Sequence, residues 1–457
     1  MFCLTVRRIL ILAGALIALA GAANAADPAR PNVIFILSDD QGRMDYSACG
    51  TKDIRTPGID RLMREGMELR NFYANSCVCS PTRAALLTGR YPDRAGVPGV
   101  IRHLPANSWG RLADSVPLLP QVLHAAGYHS AIVGKWHLGL TAPDTPCDRG
   151  FDHFHGFLGD MMDDYWTHRR GGRNFMRLNH KTIDPEGHAT DLFARWACEY
   201  LESRAGKTQP FFLYLAFNAP HDPIQPPPEV VEAVRRREPD MTDKRAKLVA
   251  LIEHMDTGIQ QVLTTLDRLK LTENTLVMFS SDNGGVRGYE ANNGPWRSDK
   301  QHMYEGGLRV PFGARWPGHI AAGSTSDRTA LTMDAFATIC EAAGATAPPD
   351  IDGVSFLPAL RGTNQLEADR DLYFVRREGG PAYGGLTIQA LRHGDWKLIQ
   401  DSPYQPLELY NLREDPQETT NLATSEKARA RELQSRLSLH LQRGGRIPWQ
   451  AVNDPRE

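Results

Sequence analysis

Val33-Ile34-Phe35-Ile36-Leu37, followed at once by Ser38-Asp39-Asp40, is the stretch that decides the fold. An apolar run of this length, without polar alternation, suits a strand buried on both faces, as in a parallel sheet with helices outside. The pattern recurs. Ser130-Ala131-Ile132-Val133 runs into Gly134-Lys135-Trp136-His137, Phe211 to Ala216 leads to Pro220-His221-Asp222, and Thr275 to Phe279 ends at Ser281-Asp282-Asn283. Helical patterns separate these runs. Thr56-Pro57 opens one to about Glu65, before Gly66, and Leu118 to Ala126 stops at Gly127. His188 to Ser203 and Met241 to Lys270 carry apolar residues at spacings of three and four. Strands alternating with helices predict an α/β fold with a doubly wound, mostly parallel sheet. Ligands gather beyond the carboxyl ends of such strands, so the four polar clusters are expected to converge.

From about Asp371 the pattern changes to short β-like runs, Leu372 to Val375, Thr387 to Leu391 and Trp396 to Ile399, and then a helical segment, Thr424 to Gln442. This predicts a smaller C-terminal α+β subdomain, an antiparallel sheet with a closing helix. The expected division is a signal peptide over 1–25, a catalytic α/β domain over 26–365 and the subdomain over 366–457. The signal reading rests on Arg7-Arg8 before an apolar run from Ile9 to Ala20, with Ala23-Asn24-Ala25 as a small-x-small cleavage site. It predicts a periplasmic or secreted protein without a stable membrane anchor. The 52 Lys and Arg against 54 Asp and Glu give 52 − 54 = −2, with no basic stripe, so nucleic acid is not an expected partner. Seven cysteines less Cys3 leave six, too sparse for a disulfide framework.

The chemistry-bearing stretch is Cys79-Ser80-Pro81-Thr82-Arg83, running on into Ala84-Ala85-Leu86-Leu87-Thr88-Gly89-Arg90. Pro81 fits a first helical position and the residues after it favour helix, which puts Cys79 at the positive end of a helix dipole. Arg83 lies one turn on, placed to pair with an oxyanion. Asp39, Asp40, Asp282 and Asn283 supply only oxygen donors, a set for a hard divalent ion, Ca²⁺ or Mg²⁺, rather than zinc. A thiolate is a poor partner for such an ion, whereas a hydrated aldehyde offers it an oxygen; this is a chemical reason to expect Cys79 to be modified.

The Cys79–Arg90 stretch resembles the signature of the formylglycine-dependent (type I) sulfatases of the alkaline-phosphatase-like superfamily, with Thr82 where that family most often has Ser. Further likenesses are Gly-Lys-Trp-His-Leu-Gly around Lys135 and His137, Ala-Pro-His-Asp-Pro around His221, and Lys300 before Tyr304-Glu305-Gly306-Gly307. Arg149-Gly150-Phe151-Asp152 and, near the C-terminus, Gly394 to Ile399 are also similar to that family. The resemblance implies that Cys79 becomes formylglycine, made by a formylglycine-generating enzyme before folding, and that Asp39, Asp40, Cys79, Asp282 and Asn283 hold Ca²⁺, with Mg²⁺ not excluded by spacing. It implies that Lys135, His221 and Lys300 hold sulfate oxygens. One of Lys300 and His221 would protonate the leaving oxygen, His137 would assist elimination of sulfate, and Arg83 would stabilise the hydrate. The expected activity is hydrolysis of a sulfate ester of an aryl or carbohydrate alcohol. Asp163, Asp164 and His168, in the polar stretch Gly159 to Arg170, are candidates for a substrate-facing loop, and Tyr289 to Trp296 for the entrance. Two other readings remain: a phosphonate or phosphate monoester hydrolase of the same superfamily, and an exported carbohydrate-binding protein without turnover.

Overall fold

The computed structural model describes residues 30–363, 369–379 and 382–447; the signal-peptide segment lies outside them. The first apolar run forms β1 (Asn32–Ser38), buried along its whole length. It is followed by β2 (Met67–Tyr73), β3 (His129–Lys135) and β4 (His153–Phe157). After a two-stranded ribbon of β5 (Arg169–Arg170) and β6 (Arg173–Asn174) come β7 (Met176–Leu178) and β8 (Lys181–Thr182). Then follow β9 (Phe211–Ala216), β10 (Thr275–Ser281), β11 (Phe312–Arg315) and β12 (Ser324–Leu331). Ten of these make one sheet in the order β12-β2-β11-β10-β1-β9-β3-β4-β7-β8. Only β7 and β11 run against the other strands, so the sheet is mixed, with a parallel centre.

Helices flank this sheet in two groups. Pro57–Arg64, Ala189–Arg204, Pro228–Arg237 and Asp243–Arg268 pack on one another, as do Cys79–Thr88, Leu119–Ala125, Asp334–Ala343 and Leu357–Leu360. The four helices expected between the central strands lie within about two residues of their expected bounds, as frayed ends allow. Among the described residues, no helix is long and apolar enough to cross a membrane.

The C-terminal strands β13 (Asp371–Arg377), β14 (Thr387–His393), β15 (Trp396–Gln400) and β16 (Glu408–Asn411) form an antiparallel meander against the helix Lys427–Gly444. β16 was not among the expected strands; the run around Leu409 is too short to stand out. The small sheet is not an appendage. Leu372, Phe374, Leu391 and Leu409 share an apolar cluster with Tyr73, Cys77, Val78, Met303 and Leu308, so it is packed against the segments on either side of Cys79 and Lys300.

Register places the site. Ser38 is paired with Ser281, so Asp39 and Asp282 leave adjacent strands side by side. Leu37 is paired with Ala216 and Ala216 with Gly134, which brings Lys135 to the same edge. Gly134 is required there: its φ is +103°, and a Cβ would stand 1.9 Å from the Ala216 carbonyl oxygen. Gly134→Ala is therefore expected to destabilise the protein by about 2 kcal/mol or more and to displace Lys135, read as a lowered melting temperature.

Candidate active site

The four polar strand ends meet as their register requires. Asp40 has φ +67°, a left-handed turn that points its backbone N–H at Asp282 Oδ1, 3.2 Å away. Asn283 Nδ2 donates to Asp40 Oδ1 at 2.7 Å. Asp39, Asp282 and Asn283 are wholly buried, and Asp40 nearly so. Three carboxylates this close are tolerated because three cations face them. Lys135 donates to Asp39 Oδ2 at 2.5 Å, and Lys300 to Asp40 Oδ2 at 2.8 Å. Arg83 grips Asp282 Oδ2 through Nε (3.0 Å) and Nη2 (2.7 Å), and Nη2 lies 3.4 Å from Asp39. Burial alone would raise Asp39, yet Lys135 first, with Arg83 and Lys300, holds it below the ordinary carboxylate range. Burial and the neighbouring Asp39 push Asp282 up to about 7. Burial opposes the charge of Arg83 and of Lys300, but the carboxylates hold both above their ordinary values.

Cys79 opens a wholly buried helix, Cys79–Thr88, that ends at Gly89 with φ +67°. Pro81 is the third helical residue rather than the first. The conclusion survives the shift, because the first four N–H groups of a helix have no internal partner and a proline sacrifices nothing there. Val78, at the cap position, brings no capping side chain, so the positive end of the helix faces Cys79. Burial pushes the thiol up to about 11 although Lys135 and Lys300 pull it down, so the unmodified side chain is a neutral thiol and a weak nucleophile.

The histidines have defined tautomers, because a carbonyl oxygen can only accept. His137 Nε2–H donates to the Ile101 carbonyl at 2.8 Å, which leaves Nδ1 with a lone pair, buried and without a partner. Burial, Lys135 and Arg83 hold His137 well below its ordinary value, so it is neutral. It has φ +60° and lies past the end of β3, so it does not continue the extended strand that carries Lys135. His221 Nδ1–H donates to the Asp222 carbonyl at 2.7 Å, and its Nε2 lies 3.1 Å from Lys300 Nζ, placed to accept from the ammonium.

A cleft of about 200 Å³ joins Cys79, His137, His221 and Lys300 to Arg102, Asp160, Arg170, Arg376 and Tyr383. The three residues expected on a substrate loop are not among its lining. Asp163 is exposed and takes Arg170 Nη1 at 2.8 Å. Asp164 accepts the N–H groups of Trp166 and Thr167, a local turn. His168 is buried, with Nε2–H donating to the Gly187 carbonyl. Asn293, from the second expected loop, clamps the backbone of Gly285 through both its amide atoms, and it too is absent from the cleft wall. Of the polar stretch, Asp160 and Arg170 reach the cleft instead. Arg102, Arg376 and Tyr383 carry no sequence signal that singles them out.

The residues present fit a hard divalent cation. Asp39 Oδ1 and Asn283 Oδ1 are buried oxygens without any hydrogen-bond partner, and such atoms are costly unless something positive meets them. Asp39, Cys79 and Asp282 each offer an atom within 4.8 Å of the others. The three carboxylates are balanced by Arg83, Lys135 and Lys300, so an added cation would leave the site positive, as an anionic substrate needs.

Residues 31–345 match the family model described as Sulfatase, and residues 294–444 that described as N-sulphoglucosamine sulphohydrolase, C-terminal. The chain is 34% identical to N-acetylgalactosamine-6-sulfatase of Canis lupus familiaris over 413 residues, which span 86% of this chain and 74% of that protein. It is likewise 34% identical to the Homo sapiens protein of the same name over 399 residues, 82% of this chain and 72% of that one. Among solved structures, Ps i-CgsB in complex with k-i-k-neocarrahexaose superposes with a TM-score of 0.84 at 29% identity, covering 93% of this chain and 95% of the other.

Proposed function

This chain belongs to the sulfatase family, whose members hydrolyse sulfuric esters, and from that premise we propose that it removes sulfate from a sulfated saccharide through an aldehyde made from Cys79 and a divalent cation, Ca²⁺ in preference to Mg²⁺. The observation that carries this reading is the meeting of Cys79, at an uncapped helix N-terminus on the cleft wall, with Asp39 and Asp282, whose ligand atoms lie within 4.8 Å of its own and of each other, where Asp39 and the neighbouring Asn283 carry buried, unpartnered oxygens. The N-acetylgalactosamine-6-sulfatases and the neocarrahexaose complex among its relatives favour a carbohydrate alcohol.

Asp39, Asp40, Asp282 and Asn283 would hold the cation beside residue 79. When bound, it supplies charge that neutralises a sulfuryl oxygen and lowers the pKa of a coordinated hydroxyl. The aldehyde, once hydrated, supplies an oxygen nucleophile with a second hydroxyl for release. The chain's own residues do the rest. Lys135 and Lys300 hold ammonium groups against the carboxylates and present charge to the sulfate oxygens. Lys300, shared between Asp40 and His221, holds a proton at the leaving-group side, and His221 Nε2 can relay it. His137 Nδ1 is the free lone pair that can take a proton during sulfate release. Arg83 fixes Asp282 and the start of the helix. Cys79 is 4% exposed, so an oxidising enzyme must reach it before the chain folds. The apolar segment from Ile9 and the Ala23-Asn24-Ala25 site favour export, and in this reading 26–365 is the catalytic domain and 366–457 its C-terminal subdomain.

Two outcomes follow. Protein from its native host should release sulfate from N-acetylgalactosamine 6-sulfate or an aryl sulfate far faster than it cleaves an aryl phosphonate monoester; the reverse order would favour the phosphonate reading. Chelation should abolish that turnover and lower the melting temperature by a few degrees, because a ligand at a hundred times its Kd contributes about 2.7 kcal/mol. An unchanged melting curve and rate would remove the cation from the account.

A further inference from the structure

Arg102, from the loop after the Cys79 helix, and Arg376, from β13 of the small sheet, meet over one carboxylate. Glu378 is 1% exposed; its Oε2 accepts Arg102 Nη1 at 2.7 Å and its Oε1 accepts Arg376 Nε at 3.0 Å. One carboxylate between two guanidinium groups leaves one positive charge uncompensated within the cluster. Arg102 Nη1 also reaches the Val100 and Asn107 carbonyls, and Arg376 Nη1 the Gln301 carbonyl. That leaves Nε and Nη2 of Arg102 and Nη2 of Arg376 without partners among the described residues. Both arginines line the cleft that holds Cys79 and Lys300. The Tyr383 ring lies 4.1 Å below Arg102 Cζ and fixes the plane of its fork. Arg170, the other arginine of the cleft, is different: Nε and Nη2 both meet Asp160, and Nη1 meets Asp163, so its charge is answered.

A structural ion pair would need one arginine for Glu378. A second, three-quarters or more removed from water, is stabilising only if an anion completes the group. Guanidinium N–H groups held in a fixed fork are the recognition element for a planar carboxylate or a sulfate. The cleft volume, about 200 Å³, has room for about one sugar ring, so such an anion lies on the ring that bears the scissile sulfate or on its neighbour.

We infer that Arg102 and Arg376, positioned by Glu378, form a second anion subsite that recognises a sulfate or uronate carboxylate the substrate carries besides the sulfate it loses. The inference rests on the saccharide sulfatase reading, deepens it to a doubly anionic substrate, and gives the small C-terminal sheet a direct part in specificity.

Binding tests it without turnover. In full-length Cys79→Ala protein, dissociation constants are measured by calorimetry for N-acetylgalactosamine 6-sulfate, N-acetylgalactosamine 4,6-disulfate and the uronate-containing disaccharide of chondroitin 6-sulfate. At least one doubly anionic ligand is expected to bind about tenfold or more tightly than the monosulfate, and which one it is distinguishes sulfate from carboxylate. Arg102→Gln should bring that ratio close to one. Arg376→Lys, which keeps the charge but loses the fork, should reduce it in a protein whose melting temperature is checked alongside. Equal affinity for all three ligands, no binding of any, or a ratio unmoved by both variants overturns the subsite. Arginine-dependent binding with no sulfate release by the unmutated enzyme leaves the subsite standing and removes the hydrolase reading.

Discussion

Replacement of Cys79 by serine is expected to lower steady turnover by at least about 10³-fold while leaving the fold intact. Serine is close to cysteine in size, and the position is the first residue of a buried helix, so packing changes little. Its hydroxyl stands at the same helix N-terminus, between Lys135, Lys300 and the carboxylates, and can still meet a sulfuryl group. What it lacks is the second hydroxyl through which a hydrated aldehyde lets sulfate go. The variant should therefore bind sulfated ligand, with at best a single sulfate transfer that goes no further, visible as added mass on the peptide. Rates of multiple turnover near those of the unmutated protein would show that the side chain at position 79 needs no second oxygen.

The largest expected loss of stability is at Lys397, which is not part of the cleft wall. Its ammonium donates to Glu305 Oε1 and Glu418 Oε1, each at 2.9 Å, and all three side chains are sealed from solvent. The Glu305 backbone N–H donates to Glu418 Oε2 at 2.7 Å, and Tyr73 and Arg309 hold the other oxygen of Glu305. Burial and Glu305 push Glu418 up to about 7 even with Lys397 present. Lys397→Met would leave two buried carboxylates facing each other, a loss of about 3–5 kcal/mol. The sign with pH is fixed by protonation: without the lysine the pair is relieved by taking up a proton, so the destabilisation should be smaller in mildly acid buffer than above neutrality. Denaturant midpoints at both conditions measure it. Because Glu305 follows the segment of Lys300 and Gln301, and Gln301 N–H donates to the Cys77 carbonyl, substrate affinity should weaken as well.

The central strands were legible because each is an unbroken apolar run closed by a polar cluster. β1, β9 and β10 are buried at every position, which leaves the sequence no alternation to confuse with an exposed strand. Their polar ends had to converge once the strands were neighbours. The margins were harder to read. β12 buries only its last two residues and alternates elsewhere, so it carries no apolar run. The aspartates of the 159–170 stretch read as candidates for a substrate-facing loop, but Asp164 sits two and three residues before the N–H groups it accepts, the pattern of a local turn, and its other oxygen accepts from Gln225. Arg102 and Arg376 were invisible for another reason. They are far apart in the chain, each is ordinary among 52 basic residues, and only the packing of the small sheet against the Cys79 segment brings both to one carboxylate.

The most direct test of the account is the mass of the peptide carrying Cys79, taken from protein purified out of its native host and treated with a carbonyl-reactive probe. The account predicts the mass of an aldehyde at position 79 and its capture by the probe. An intact, unlabelled thiol in active protein would contradict it.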